Sequence, residues 1–230
     1  MAIRHEQAEV VVWGGGTGGV AAALQAARGG AGVLLLTPGP WLGGMVSAAG
    51  VCAPDGNELS PWQTGLWGAF LRELQRREPE GLDHNWVSCF GYRPATAEAI
   101  LRNWCDAQST LQWRDGVVLQ AVHHQGQRIR VIDVEHRDEP LQIQAQVWID
   151  GSDRGELLGH GAAPYRQGWE SHEQWQEPSA PGAQALATDP FFQRQPVQSP
   201  TWVVMGQLAE GPMPGPARDL PAPFTAAAEA

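Results

Sequence analysis

Three glycines near the start of the chain have the spacing of a loop that can hold a phosphate group. Gly14, Gly16 and Gly19 follow the apolar run Val10 to Trp13 in a G-x-G-x-x-G pattern. In such a loop the first glycine permits a tight turn, the second lets the backbone approach a pyrophosphate, and the third lets a helix pack closely on a strand. The spacing predicts a dinucleotide-binding turn; a purely structural glycine turn is the alternative.

The segments around these glycines are the ones that a dinucleotide site needs. Val10 to Trp13 are β-branched or aromatic and predict a buried strand. Thr17 to Arg28 predicts a helix whose free N–H groups and positive end would face the phosphates. Val33 to Leu36 predicts the next parallel strand. Such a strand commonly ends in Asp or Glu for the ribose hydroxyls; here Thr37 follows, so its hydroxyl is the candidate ribose contact.

Composition excludes several other kinds of chemistry. The formal net charge of -10 argues against nucleic acid or an anionic membrane surface as a partner. All 15 basic residues are arginine, which excludes a Schiff-base lysine and a P-loop lysine. Cys52, Cys89 and Cys105 are widely spaced, so neither a zinc site nor a disulfide framework is predicted. The sequence has no apolar signal core and no apolar run that could span a bilayer, so we expect a cytoplasmic location.

The remaining periodicity predicts helices followed by strands. A Gly- and Pro-rich segment from Pro38 to Gly56 predicts a binding loop. Apolar residues at helical spacing predict a helix from Ser60, within a capping box that ends at Gln63, to Arg77, and a second one over residues 94–108. Alternation of apolar and polar residues then predicts a series of strands. These strands cover residues 111–113, 117–124, 128–136 and 141–146, followed by a buried strand at 147–150.

Four blocks of sequence, in this order, resemble the FAD-dependent oxidoreductases that share the glutathione-reductase type of FAD-binding fold. The blocks are VVWGGGTGGVAAALQAARGGAGVLLL, TPGPWLGGMVSAAGVCAPD, NWVSCFGYRP and VWIDGSDRGELLGHGAAPYRQGWES. The resemblance implies an α/β fold: a Rossmann-like FAD-binding domain with a parallel sheet, inserted helices and a small β-meander. It also implies FAD as the cofactor, since several loops must converge on so long a ligand.

The resemblance carries candidate cofactor contacts onto matching positions of this chain. Those for the pyrophosphate are Gly14, Gly16, Thr17 and Gly19. Those along the ribityl chain and the flavin ring are Trp41, Gly43, Gly44 and Met45. Val118 matches a position whose backbone contacts adenine, and Gly151 and Ser152 match an Ala-Thr-Gly-like motif that closes over the cofactor. Thr37 completes the set of candidate contacts.

The implied activity is hydride transfer between a small organic substrate and the flavin. Members of the family continue into a substrate domain and a returning segment that completes the flavin site, so the chain is expected to be the truncated N-terminal part of such a protein. Two alternatives stay open: a non-catalytic dinucleotide-binding chain and an NAD-dependent dehydrogenase. The oligomeric state is not predicted.

No catalytic residue and no metal ligand is predicted. Cys52 and Asp55 lie near the flavin loop, but free cysteine most often packs as a small hydrophobe and Asp before Gly is typical of a turn. His123 and His124 are adjacent in a strand and point to opposite faces. Neither His84 nor His160 has a partner that the sequence identifies.

The predicted domain organisation has three parts. Residues 1–165 form the FAD-binding domain, with a loop and helical insertion at 45–110 and the β-meander at 117–146. Residues 166–205 begin a substrate domain that is incomplete. Prolines are concentrated from Pro178 onwards, so little regular structure is expected there, and residues 206–230 are predicted to be a disordered tail.

Overall fold

The computed structural model describes residues 3–54, 63–78, 82–85, 88–160, 163–198, 203 and 211. Within them it contains eight strands and seven α-helices. The strands are β1 (Arg4–Trp13), β2 (Val33–Leu36), β3 (Asp83–Asn85), β4 (Ser88–Gly91), β5 (Leu111–Arg114), β6 (Val117–Gln125), β7 (Arg128–His136) and β8 (Glu139–Asp150). The helices are α1 (Thr17–Arg28), α2 (Gly65–Arg77), α3 (Pro94–Asp106), α4 (Glu156–His160), α5 (His172–Trp175), α6 (Ala183–Thr188) and α7 (Pro190–Arg194).

Six strands form one mixed sheet in the order β5-β2-β1-β8-β7-β6. The first four are parallel, with Trp13 of β1 beside Leu36 of β2 on one side and Asp150 of β8 on the other. The last three run antiparallel as a meander. The α/β fold class, a Rossmann-like domain with inserted helices and a β-meander, is confirmed.

Both faces are buried in β2 and in the second half of β1, whereas Val147 of β8, in the predicted buried strand, is exposed. Val10 and Val12 of β1 face a core formed with α1, α2 and α3. Val11 and Trp13 face a second core, formed with side chains of the meander such as Ile132. This arrangement explains why β1 and β2 have continuous apolar runs rather than alternation, since a strand with helices on one face and a second layer on the other has no solvent face.

Three predicted boundaries differ from the structure. β1 begins at Arg4, because its polar first half pairs with the first half of β8. β8 is one strand, where the sequence pattern predicted one strand at 141–146 and another at 147–150. The pattern changes there because β8 pairs with both β1 and β7 as far as Gln144 and with β1 alone beyond it. The prolines after Pro178 do not exclude helix, since Pro190 occupies the first position of α7.

The predicted helix starts were partly accurate. α3 begins at Pro94 as predicted, with its proline in the first turn. α2 begins at Gly65, after Gln63 and Thr64, where the prediction began at Ser60. Most of the proposed capping box, Ser60 to Trp62, lies outside the described residues.

Candidate functional site

The predicted cofactor residues lie where the parallel strands end. β1 ends before Gly14, β2 before Thr37 and β8 before Gly151, and the three ends are in register. Ligands of open α/β sheets bind in the crevice outside the carboxyl ends of the strands. The structure therefore brings together three loops that are distant in sequence.

Backbone contacts lock the first loop to the third. Gly14 has a φ of +97°, which a side chain rarely adopts, and a Cβ there would lie 2.4 Å from the Ser152 backbone. A Cβ on Gly19 would lie 2.1 Å from the Gly14 carbonyl oxygen, and one on Gly151 would lie 2.4 Å from the Gly19 Cα. These three glycines leave no room for side chains, so the turn after β1 and the turn after β8 form one rigid unit.

The second loop packs against the start of α1. The Gly43 N–H donates to the Gly15 carbonyl oxygen at 2.7 Å, and the Thr17 hydroxyl donates to the Gly43 carbonyl oxygen at 2.9 Å. Gly43 and Gly44 both have positive φ, at 112° and 54°. A Cβ on Gly44 would lie 3.0 Å from the Gly16 Cα. The two glycine loops are therefore in direct contact beside the start of α1.

The N-terminus of α1 offers unpaired hydrogen-bond donors beside these two loops. Gly16 precedes the helix in an extended conformation and provides no side-chain cap, and the first turn contains no acidic residue. Val20 is the first residue whose N–H bonds back to Gly16. Among the described residues, the N–H groups of Thr17, Gly18 and Gly19 have no hydrogen-bond partner. Such a helix end binds anions, because free N–H groups and the helix dipole act together there.

Thr37, the candidate ribose contact, uses its hydroxyl within the protein. The side chain is 2% exposed. Its hydroxyl donates to the Gly39 carbonyl oxygen at 2.7 Å and accepts from the Trp113 indole N–H at 3.0 Å. Its methyl group lies beneath the glycine turn, 2.6 Å from where a Cβ of Gly15 would be. In this structure Thr37 supports the turn from below.

Asp150, to which the sequence reasoning gave no role, positions the third loop. Its carboxylate accepts from the Ser152 N–H and hydroxyl at 3.0 and 2.6 Å, and from the Leu157 and Leu158 N–H groups at 2.9 and 3.2 Å. It thereby caps α4 and fixes Ser152 at once. The sequence feature that could have indicated this role is an Asp at the end of a strand, followed by a Gly-Ser turn. Such a pattern favours hydrogen bonds from backbone N–H groups to the Asp side chain.

The other predicted contacts present apolar side chains to solvent. Trp41 is 40% exposed and Met45 62%, on either side of the Gly43-Gly44 loop. Val118 is 53% exposed and follows Val117, whose N–H bonds the Thr37 carbonyl oxygen at 3.0 Å. Exposed large apolar side chains at the rim of a crevice are typical of a binding surface.

The residues considered for catalysis or metal binding have structural partners. Cys52 is fully buried, and burial raises the pKa of its thiol to about 11, so it is not a nucleophile at neutral pH. His123 contacts the Asp133 carboxylate at 2.6 Å, and His124 contacts the His160 carbonyl oxygen at 3.0 Å. Asp55 and the His84 side chain lie outside the described residues.

The described part of the chain has neither a cluster of metal ligands nor a membrane-spanning helix. It contains no group of three or more His, Cys, Asp or Glu side chains placed to hold a metal ion. None of its helices combines the length and apolar character that crossing a membrane requires. A cavity of about 660 Å³ beside Trp169 and Phe191, and one of about 160 Å³ beside Arg4 and Arg114, do not adjoin the glycine turn.

Known proteins agree with the class that this fold and site define, a Rossmann-like FAD-binding protein. A family model described as FAD dependent oxidoreductase matches residues 9–221. The chain belongs to this family, and FAD is its cofactor. The residues present fit FAD, because the unpaired N–H groups of α1 and the facing glycine loops suit a pyrophosphate. No curated protein matches the chain.

Solved structures are similar to this chain at low sequence identity. The flavin-dependent brominase Bmp2 is 12% identical, with a TM-score of 0.52 over 72% of this chain and 43% of the brominase. The p-nitrophenol 4-monooxygenase PnpA from Pseudomonas putida DLL-E4 is 12% identical, with a TM-score of 0.49 over 72% and 44%. The myxobacterial chondrochloren halogenase CndH is 23% identical, with a TM-score of 0.44 over 64% and 37%. The chain thus spans less than half the length of each of these three proteins.

Proposed function

We propose that this chain binds FAD with the pyrophosphate at the N-terminus of α1 and serves an oxidoreductase that transfers hydride between a small organic substrate and the flavin. The observation that carries the proposal is the set of unpaired N–H groups at Thr17, Gly18 and Gly19, facing a second glycine loop. FAD is a diphosphate, and this helix end has no acidic residue in its first turn. The FAD-binding unit is proposed to span residues 1–165.

The candidate contacts divide by role under this proposal. Gly14, Gly19 and Gly151 hold the turns together, and Gly16, Thr17 and Gly44 lie where the two glycine loops meet at the start of α1. Thr37 supports the turn through its packing on Gly15. The remaining proposed contacts are Trp41, Gly43, Met45, Val118 and Ser152.

The chemistry is divided between cofactor and protein. Bound FAD supplies the hydride acceptor or donor. The residues of this chain bind and orient it, and no proton-transfer residue is assigned among them. The second glycine loop supports FAD over NAD. Gly43 of this loop is hydrogen-bonded to Gly15 of the first glycine turn, so two loops rather than one would surround the ligand.

The proposal is tested with two neighbouring Gly→Ala variants. In Gly16→Ala the new methyl group would lie 3.0 Å from the Asp153 carboxylate and 3.1 Å from the Gly151 carbonyl oxygen, over the turn that a pyrophosphate must approach. In Gly18→Ala the backbone N–H that is proposed to face the pyrophosphate is kept and the methyl group points into open space, so this variant is the matched control. We expect Gly16→Ala to raise the Kd for FAD at least about tenfold, or about 1.4 kcal/mol, and Gly18→Ala to change it less than about twofold.

Binding is measured by quenching of flavin fluorescence and by the shift in thermal unfolding, with NADH titrated in parallel. Absence of FAD binding by the wild-type chain would overturn the proposal, and tight binding of NADH alone would favour a dehydrogenase. Flavin that binds but passes no electrons to any acceptor would favour the non-catalytic alternative.

A further inference from the structure

The carboxylate of Asp153 lies beside both glycine loops. A Cβ on Gly16 would be 3.0 Å from Asp153 Oδ1, and one on Gly44 would be 3.7 Å from the same oxygen. The same Gly44 position lies 3.6 Å from the Thr17 nitrogen, at the start of α1. An exposed acidic side chain thus lies beside Gly16, the residue that precedes the free N–H groups of α1.

The charge of Asp153 is not paired elsewhere in the described part of the chain. No hydrogen bond and no ion pair to its carboxylate occurs there. The adjacent Arg154 pairs with Glu156, and the nearby Asp150 carboxylate is committed to the cap of α4. The positive feature beside Asp153 is the N-terminal end of α1, whose partial charge attracts anions.

We propose that Asp153 sets the affinity of this chain for FAD. In the ligand-free chain its carboxylate serves as an internal anion at the start of α1, and it must move away when a pyrophosphate binds. Two anions cannot share this helix end without repulsion, and the favourable interaction of Asp153 with α1 is lost on binding. The inference rests on the proposed FAD site and predicts that the wild-type chain binds FAD more weakly than its backbone allows.

The test compares FAD binding and stability in three variants. Asp153→Asn removes the charge at nearly constant shape, and Asp153→Ala removes the group. Asp106→Asn is the charge-matched control, because Asp106 is exposed and ends α3, at the amino-terminal end of the parallel strands. Each protein is titrated with FAD at low and at high salt, and its thermal unfolding is followed without FAD.

We expect both Asp153 variants to bind FAD about tenfold more tightly, equivalent to about 1.4 kcal/mol, and Asp106→Asn to stay within about twofold of the wild type. The ratio of Kd between wild type and Asp153→Asn should shrink at high salt, because salt screens the repulsion. Without FAD, Asp153→Asn should unfold at a lower temperature than the wild type, because α1 loses its internal anion.

The outcomes separate this inference from the proposed function. If the wild type binds FAD and Asp153→Asn binds it equally or more weakly, the role of Asp153 is overturned while the FAD site stands. Failure of the wild type and of both Asp153 variants to bind FAD would overturn the proposed site, and the inference with it.

Discussion

Single side chains beneath the glycine turn decide its shape. Thr37 replaces the acidic residue that would bond a ribose, and its hydroxyl instead bridges the Gly39 carbonyl oxygen and the Trp113 indole. Trp113 is in turn covered by the Arg102 guanidinium, 4.3 Å from the ring centroid. The end of β2 is therefore closed by a small polar network whose groups satisfy one another, which is the condition under which burial of polar groups is tolerated.

A double-mutant cycle tests this network. Thr37→Val keeps the shape but leaves the Trp113 N–H and the Gly39 carbonyl oxygen without their partner, so we expect a loss of about 1–2 kcal/mol in the free energy of unfolding. Trp113→Phe in the Thr37→Val background should cost less than Trp113→Phe alone, because the shared hydrogen bond is already absent. Urea denaturation measures all four proteins; additive effects would show that the bond contributes nothing.

Two neighbouring glycines in the first turn of α1 differ in the space around them. Gly18 is exposed, and a Cβ there meets nothing within 4 Å. Gly19 is buried against the Gly14 carbonyl oxygen and the Gly151 turn. The G-x-G-x-x-G pattern distinguishes them only because its last glycine is required for helix and strand to approach each other.

This contrast predicts opposite changes in stability one residue apart. Gly18→Ala should raise the free energy of unfolding by up to about 1 kcal/mol, since alanine restricts the unfolded chain and favours helix. Gly19→Ala should lower it by about 3 kcal/mol or more, because its methyl group would overlap backbone that cannot move aside. Denaturant unfolding of the two variants checks this, and a mild effect at Gly19 would mean that the turns after β1 and β8 can separate.

How much of the fold was predictable differs between elements. The strand, turn, helix and strand from Val10 to Leu36 were readable because local periodicity and glycine spacing specify them directly. The continuity of β8 was not, because its pattern changes where its neighbours change, which is a property of the sheet and not of the strand. The position of Asp153 beside Gly16 joins residues far apart in sequence, and no local pattern encodes such a contact.

Several ionisable groups are buried in the core between the sheet and the helices. Burial raises the pKa of the Cys52 thiol to about 11 and that of the Cys105 thiol to about 12, and it also raises the pKa of the Tyr92 hydroxyl. All three residues belong to the same core. The chain has no lysine, so no ammonium group titrates in the same alkaline range.

The fold should therefore lose stability steadily in mild base. Between about pH 9 and pH 11 the thiols ionise in the unfolded chain but remain protonated in the folded one, so the folded state binds more protons and its stability falls as the pH rises. Each thiol contributes a slope of up to about 1.4 kcal/mol per pH unit. Urea denaturation at successive pH values measures the slope. Cys105→Ala should reduce it, and a flat profile in the wild type would contradict the burial of both thiols.

The pairing of β1 with β8 also means that β1 waits for one of its partners during synthesis. Arg4 of β1 pairs with Leu141 of β8, and Trp13 of β1 pairs with Asp150 of β8. β1 is therefore synthesised well before β8, one of its two neighbours in the sheet. At about 5–20 residues per second, roughly 7 to 30 s separate the appearance of these partners at the ribosome. During that interval the apolar segment Val10 to Trp13 has one exposed edge, which is a template for pairing with other chains. The nascent chain therefore keeps this strand edge unpaired until β8 has been made.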